Sequence, residues 1–143
     1  MEYKKYIVLV LFSIWGVCLS IQANDSPREV VNLNREWLYS RDNTVWQNIG
    51  LPHSFSIPYF MSKDFYTGLG WYKKTLTLSA EDMKKKLFLE FDGVFQEAEV
   101  ALNGKIVGTH VGGYTGFSMD ISSAVQVGNN IITVCVSNLW KPN

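Results

Sequence analysis

The stretch that decides the fold is EAEVALNGKIVGTHV, which runs from Glu97 to Val111. Its centre, Asn103-Gly104, lies between two arms of β-forming residues. This dipeptide favours a type I′ turn, because both central residues of that turn have positive φ. The first arm alternates, with three apolar residues on one face: Ala98, Val100 and Leu102. The pattern predicts a β-hairpin with one apolar face.

Three other segments show the same period of two, whereas helical periodicity is hard to find outside the N-terminal residues. They are Trp71–Ser79, Lys86–Phe91 and Asn130–Ser137. The last is rich in β-branched residues and is predicted to be a central strand. Between the first two, Ala80–Lys85 is polar and is predicted to form a short surface turn or a single helical turn. Seven or eight short strands are expected, which indicates an all-β fold, a jelly-roll β-sandwich.

The segment from Asn24 to Leu69 is predicted to be irregular. Three prolines interrupt it, and it is rich in aromatic rings that we expect to pack over an end or a face of the sheet. Two glycine-rich stretches, Gly68–Trp71 and Gly112–Gly116, are interpreted as bends between strands.

Length and charge exclude several classes of protein. The chain has 143 residues, with 13 Lys and Arg against 13 Asp and Glu, so its formal net charge is +0. This length fits one domain, and the balanced charge argues against a nucleic-acid-binding arm. Only two cysteines are present, Cys18 and Cys135, which excludes a disulfide scaffold.

The first residues have the layout of a secretory signal peptide. Lys4 and Lys5 precede an apolar run from Tyr6 to Ile21, and Ile21-Gln22-Ala23 is an acceptable cleavage site. We therefore predict a signal peptide over residues 1–23 and export to the periplasm or the extracellular space. An uncleaved membrane anchor is the alternative, but the run is shorter than the roughly 20 residues needed to span a bilayer. After cleavage no membrane span is expected.

The residues themselves do not reveal an active site. Glu97 and Glu99 are two positions apart on one strand, and an extended strand places such residues about 7 Å apart. Nothing nearby in the sequence, however, would raise the pKa of either carboxyl group as acid catalysis requires. The spacing of His53 and His110 in the sequence does not match that of metal ligands. His53 is predicted to form a hydrogen bond with the backbone in a turn. We predict no catalytic residue, no metal site and no cofactor.

Three phrases together resemble a known family. They are LPHSFS from Leu51, GLGWYKK from Gly68, and LEFDGVFQEAEVALNGKIVGTHVGGYTGFSMDIS from Leu89 to Ser122. Over residues 31–143 the chain resembles the N-terminal sugar-binding domain of glycoside hydrolase family 2, a jelly roll of the galactose-binding-domain-like kind. Members of that family include β-galactosidases, β-glucuronidases and β-mannosidases.

The resemblance implies a domain organisation. In the family this domain precedes an immunoglobulin-like domain and a TIM barrel, and the barrel carries the acid/base and nucleophile glutamates of a retaining mechanism. Residues 24–143 are therefore expected to be a non-catalytic fragment of an exported retaining exo-β-glycosidase, most similar to the β-galactosidase type. The family's closing strand would follow Asn143, so an open sheet edge is also an expectation.

The same resemblance suggests where a sugar would lie. In the family, the loop after the last strand contributes to the sugar site, so Asn138, Trp140 and Asn143 are the candidate substrate-edge contacts, with a simple interdomain connector as the alternative. A β-linked glycan or galactoside is the implied ligand, and Phe95 and Tyr114 are assigned to packing. Two other functions stay open: a stand-alone carbohydrate-binding module, and an inactive truncated product without a ligand.

Overall fold

The computed structural model describes residues 28–56 and 65–139. The chain divides into two units, residues 1–31 and 32–143. Of the first unit, the described residues 28–31 carry no regular secondary structure. In the second, the described residues form eight strands: β1 (Trp37–Ser40), β2 (Gln47–Ile49), β3 (Leu69–Leu78), β4 (Phe88–Phe91), β5 (Glu97–Leu102), β6 (Lys105–Val111), β7 (Phe117–Asp120) and β8 (Gly128–Ser137).

The strands form two antiparallel sheets with the core between them. The larger sheet has the order β2-β1-β3-β8-β5-β6, and the smaller pairs β4 with β7. The buried core draws on both, with Val100 and Ile132 from the large sheet and Leu89 and Met119 from the small one. This arrangement confirms the predicted all-β sandwich.

The hairpin is built as the sequence predicts. Asn103 and Gly104 have φ of 51° and 82°, and β5 buries Ala98, Val100 and Leu102 on one face. The register shifts between Val100 and Ala101, however. The sequence did not predict this bulge in the hairpin.

The other predicted strands are also present. Asn130–Ser137 is the greater part of β8, which pairs with β3 on one side and β5 on the other and is therefore central. Ala80–Lys85 contains a short 3-10 helix at Asp82–Lys84. Lys74 lies on the same face of β3 as the buried residues Tyr72 and Leu78. It is itself buried, and its Nζ donates to the carbonyl oxygen of Arg35 at 2.7 Å.

Two expectations need correction. The segment predicted to be irregular contains β1 and β2, which have only four and three residues, too few to show a period in the sequence. Gly68–Trp71 is a bend only at Gly68, because β3 already begins at Leu69. Gly70 lies inside that strand for a steric reason, since a Cβ there would lie 2.3 Å from the Phe55 ring.

Candidate functional site

Asn138 follows β8 directly and binds a segment that is distant in sequence. Its Oδ1 accepts a hydrogen bond from the backbone N–H of Gly68 at 2.7 Å, and its Nδ2 donates to the carbonyl oxygen of Tyr66 at 2.8 Å. The backbone N–H of Asn138 also donates to the Gly68 carbonyl oxygen at 3.2 Å. One side chain thus holds the segment before β3 against the end of β8.

The loops of the central strands meet at this same end. Ser137 is opposite both Leu69 and Glu97 in the sheet register. The N–H of Gln96 donates to the Ser137 carbonyl oxygen at 2.8 Å, and the N–H of Gly112 donates to the Gln96 carbonyl oxygen at 2.9 Å. We call this the loop end: it comprises residues 66–68, 92–96, 112–116 and 138–139.

Arg41, just after β1, binds the aromatic residues beside Asn138. Its Nη2 donates to the carbonyl oxygen of Phe55 at 2.7 Å, and its guanidinium carbon lies 4.5 Å from the centre of the Tyr66 ring. The rings of Phe55 and Tyr66 are 5.9 Å apart. A cation over an aromatic face is attractive, so Arg41 helps to order the segment that Asn138 holds.

His53 belongs to the same aromatic group. Its Nδ1 is 2.9 Å from the hydroxyl oxygen of Tyr72, and its ring centre is 4.4 Å from that of Tyr39. The expectation of a backbone partner for His53 is wrong: loop 51–56 folds over β1 and β3, so the imidazole reaches the Tyr72 side chain of the sheet.

Burial and charge disfavour the ionised forms of this group. Burial lowers the pKa of His53, and the positive charge of Arg41 lowers it further. Burial also raises the pKa of the Tyr72 hydroxyl, with Tyr39 adding to the shift. At neutral pH both residues are therefore uncharged, which suits a packing role and a hydrogen bond between neutral partners.

Of the three predicted contact residues, the structure describes one. Asn138 is half-buried, and its side-chain amide is used in the bonds to Tyr66 and Gly68. Trp140 and Asn143 lie outside the described residues. Asn138 thus holds a neighbouring segment in place.

The two glutamates of the hairpin lie on the outer face of the large sheet. Glu97 and Glu99 line a shallow cavity of about 250 Å³ together with Cys135 and His110. Glu99 is exposed and lies opposite Cys135 in the register. Burial, and to a lesser degree Glu99, raise the pKa of the Cys135 thiol. A raised pKa reduces the thiolate fraction, so this thiol is a poor nucleophile.

Two other kinds of feature are absent from the described residues. Within residues 28–56 and 65–139, no three His, Cys, Asp or Glu side chains come together as metal ligands. Over the same ranges, no helix is long and apolar enough to cross a membrane.

Comparison with known proteins identifies the family. The family described as "Glycosyl hydrolases family 2, sugar binding domain" matches residues 22–143. The chain belongs to this family. The match includes the loop end and every strand described above, and it confirms the resemblance noted in the sequence.

The similar proteins are much longer enzymes. The chain is 35% identical to a β-galactosidase of Thermoanaerobacter pseudethanolicus over 78% of its own length and 17% of that protein. It is 33% identical to a β-glucuronidase of Bacteroides fragilis over 94% of its length and 19% of the relative. The crystal structure of Bacteroides uniformis β-glucuronidase superimposes with a TM-score of 0.70 and 32% identity, over 78% of this chain and 15% of that one. The chain therefore spans less than a fifth of each of these relatives.

Two features of the site had not been predicted. Arg41 gave no signal in the sequence, because its partners Phe55 and Tyr66 are brought to it only by the fold. Phe95 and Tyr114 were assigned to packing, yet Phe95 is 47% and Tyr114 91% exposed. That assignment is wrong for Tyr114, whereas the half-exposed Phe95 ring does pack against backbone, since a Cβ at Gly113 would lie 2.3 Å from it.

Proposed function

We propose that this chain is the non-catalytic, sugar-binding part of an exported retaining exo-β-glycosidase. The observation that carries the proposal is the pair of side-chain bonds from Asn138 to Tyr66 and Gly68, within a domain of the glycosyl hydrolase family 2 sugar-binding type. These bonds fix the point at which the chain leaves β8. Trp140 and Asn143 continue from this fixed point, and we propose that they contact the edge of the substrate.

The sugar is proposed to be a β-linked galactoside. The relatives include both a β-galactosidase and a β-glucuronidase, so the family alone does not select the sugar. The choice of a galactoside follows the β-galactosidase, which has the higher identity of the two enzymes compared. Hydrolysis itself is assigned to a TIM barrel elsewhere in the full-length enzyme. That barrel and an immunoglobulin-like domain are the proposed partners of this domain.

Export rests on the first residues of the sequence. These residues follow the order that is typical of a signal peptide: the basic residues Lys4 and Lys5, then an apolar run, then the small residue Ala23. N-terminal sequencing of the protein recovered from the periplasm or medium of an expression host should give Asn24 as the first residue. Retention of Met1 in a membrane fraction would instead support the anchor.

Two measurements on the 143-residue chain test the non-catalytic assignment. We expect no turnover of 4-nitrophenyl β-galactoside or 4-nitrophenyl β-glucuronide, together with saturable binding of methyl β-galactoside. Turnover by this chain, after purification from a host lacking both activities, would contradict the proposal. A flat titration with methyl β-galactoside would support a protein without a ligand.

Trp140→Ala tests the location of the contact. Removal of the indole should weaken the binding of methyl β-galactoside, because an indole face packs well on the apolar face of a pyranose. Trp46→Ala is the matched control, since Trp46 is half-buried under Lys73, whose Nζ lies 4.2 Å from the ring centre. Equal weakening by both substitutions would argue against a contact at residues 138–143.

A further inference from the structure

Two aromatic rings project from the loop end side by side. Tyr114 is 91% exposed and Phe95 47% exposed, and their ring centres are 5.9 Å apart in an edge-to-face arrangement. Single exposed apolar residues are ordinary on protein surfaces, but adjacent exposed rings beside a groove are typical of binding sites.

The backbone holds the Phe95 ring in place. A Cβ at Gly113 would lie 2.3 Å from Cδ2 of Phe95, so the ring packs directly on the backbone of loop 112–116. A Cβ placed at Gly93, in the neighbouring loop, would lie at an ordinary contact distance of 3.8 Å from the Gly113 carbonyl oxygen, so the two loops touch there without crowding. Close contact between the two loops orders the platform before any ligand arrives, which reduces the entropy cost of binding.

A groove lies at the paired ends of β4 and β7, where loop 92–96 begins and loop 112–116 ends. It has a volume of about 450 Å³ and is lined by Glu90, Phe91, Asp92, Gly116, Phe117 and Ser118. Phe117 stacks on Phe91 with 4.6 Å between ring centres, and on His110 with 4.0 Å. A Cβ at Gly116 would lie 3.1 Å from the carbonyl oxygen of Phe91, so the absence of a side chain at Gly116 allows the two backbone segments to approach closely.

The chemistry of the lining matches a sugar. A pyranose has an apolar face of C–H groups, which packs on an aromatic ring, and a rim of hydroxyls, which donate hydrogen bonds to carboxylate oxygens. Tyr114 and Phe95 offer the rings, and Asp92, Glu90 and Ser118 offer the oxygens. A few convergent polar groups next to apolar surface is the usual composition of a small-molecule site.

We propose that the Phe95–Tyr114 platform and its groove bind a neutral β-linked oligosaccharide. One pyranose stacks on Tyr114, and its neighbour enters the groove, where Asp92 accepts hydrogen bonds from its hydroxyls. The exposed carboxylate of Asp92 repels the carboxylate of a uronic acid, so this surface selects a neutral sugar over a uronate. The inference rests on the sugar-binding part of the proposed function, but it uses residues other than Trp140 and Asn143.

The test measures the dissociation constant of β-1,4-galactobiose for the 143-residue chain and three variants. Tyr114→Ala should raise Kd at least about tenfold, equivalent to about 1.4 kcal/mol. Tyr114→Phe keeps the ring and should change Kd by less than about threefold, or under 0.7 kcal/mol. Phe88→Ala should leave Kd unchanged: Phe88 is 53% exposed and lies at the other end of β4. Folding of Tyr114→Ala is checked by its unfolding midpoint, which the loss of so exposed a ring should not move.

A second arm tests the selection against charge. Methyl β-galactoside should bind more tightly than methyl β-galacturonide, which differs only at carbon 6, and Asp92→Asn should reduce that preference.

An unchanged Kd in Tyr114→Ala, with weakening in Trp140→Ala, would overturn the platform and leave the proposed function standing. No binding of either neutral sugar by the unaltered chain would overturn both. Self-association that Tyr114→Ala abolishes, without sugar binding, would assign the platform to a protein contact instead.

Discussion

The Oδ1 atom of Asn138 lies 2.7 Å from the backbone nitrogen of Gly68, although the two residues are 70 positions apart in the sequence. The same amide reaches the Tyr66 carbonyl oxygen through Nδ2 at 2.8 Å. An amide has both a donor and an acceptor, so Asn can satisfy two backbone groups that face each other across a gap. Neither aspartate nor alanine can do this.

Asn138→Ala should therefore lower the free energy of unfolding by about 2 kcal/mol, at about 1 kcal/mol for each hydrogen bond lost. Chemical denaturation of the chain measures this change. Asn48→Ala is the control, because Asn48 lies on the exposed strand β2, and it should change the free energy by less than about 0.5 kcal/mol. Similar losses in the two variants would mean that the Asn138 amide does not hold the loop.

Gly70→Ala tests the close approach of loop 51–56 to β3. A Cβ at this position would lie 2.3 Å from the Phe55 ring and 3.0 Å from the Tyr39 ring, so the rings must move. Crowding of this kind costs about 1–3 kcal/mol. Gly50→Ala is the control, because its Cβ would meet only the Asn34 carbonyl oxygen, at an ordinary 3.7 Å.

A double-mutant cycle identifies the cause of the Gly70 effect. Combined with Phe55→Leu, which removes the ring that collides, Gly70→Ala should cost markedly less than it does alone. Strictly additive losses would show that the penalty does not come from contact with Phe55.

The sequence predicted the parts of the fold in which a repeating pattern runs over enough residues. The alternation in β5 and β8 and the Asn103-Gly104 turn were sufficient to place the central strands. By contrast, β1 has four residues and β2 three, which is at most two periods of a strand and too short to stand out in the sequence. Their pairing depends on Tyr39 and Trp37 being buried, and that is a property of the whole core.

The candidate site was less predictable than the fold. Asn138 was found through a family resemblance. Its partners could not be inferred, because a hydrogen bond to a backbone group does not depend on the residue type of the partner. Tyr114 was misassigned for a related reason: a tyrosine in a glycine-rich loop has the same composition whether its ring faces the core or the solvent. Only the path of the loop decides the matter.

Asn130→Asp should be among the most damaging conservative substitutions in the chain. Asn130 is fully buried, and its Nδ2 donates to the carbonyl oxygens of Gln126 and Gly128 at 2.7 and 3.1 Å. Its Oδ1 accepts from the Gln126 N–H at 2.8 Å and from Asn103 Nδ2 at 2.9 Å. Aspartate would place a buried negative charge against two carbonyl oxygens, at a cost of about 3–5 kcal/mol.

The adjacent residue provides the control for that substitution. Asn129 is exposed, and its Oδ1 accepts from the Thr77 hydroxyl at 2.8 Å, which a carboxylate does equally well. Asn129→Asp should change the free energy of unfolding by less than about 0.5 kcal/mol. A small loss for Asn130→Asp, close to that of its neighbour, would show that the buried amide network is not a source of stability.

His53 should make the stability of the domain depend on pH. Burial and the Arg41 charge lower its pKa in the folded state, so the unfolded chain binds a proton more readily than the folded one. The contribution of His53 is complete above its ordinary pKa of about 6.5 and is lost as the pH falls from there toward the folded pKa. In the protonated imidazole Nδ1 carries a proton and can only donate to the Tyr72 hydroxyl oxygen, 2.9 Å away.

Denaturation between about pH 8 and pH 5 measures this effect, because the interval spans the ordinary histidine pKa. The free energy of unfolding should fall toward acid pH, and His53→Gln should make the decline shallower, since glutamine does not titrate. His110→Gln is the matched control and should retain the slope that His53 contributes, because His110 stacks on Phe117 in a different part of the domain. A slope that persists unchanged in His53→Gln would place the titrating group elsewhere in the chain.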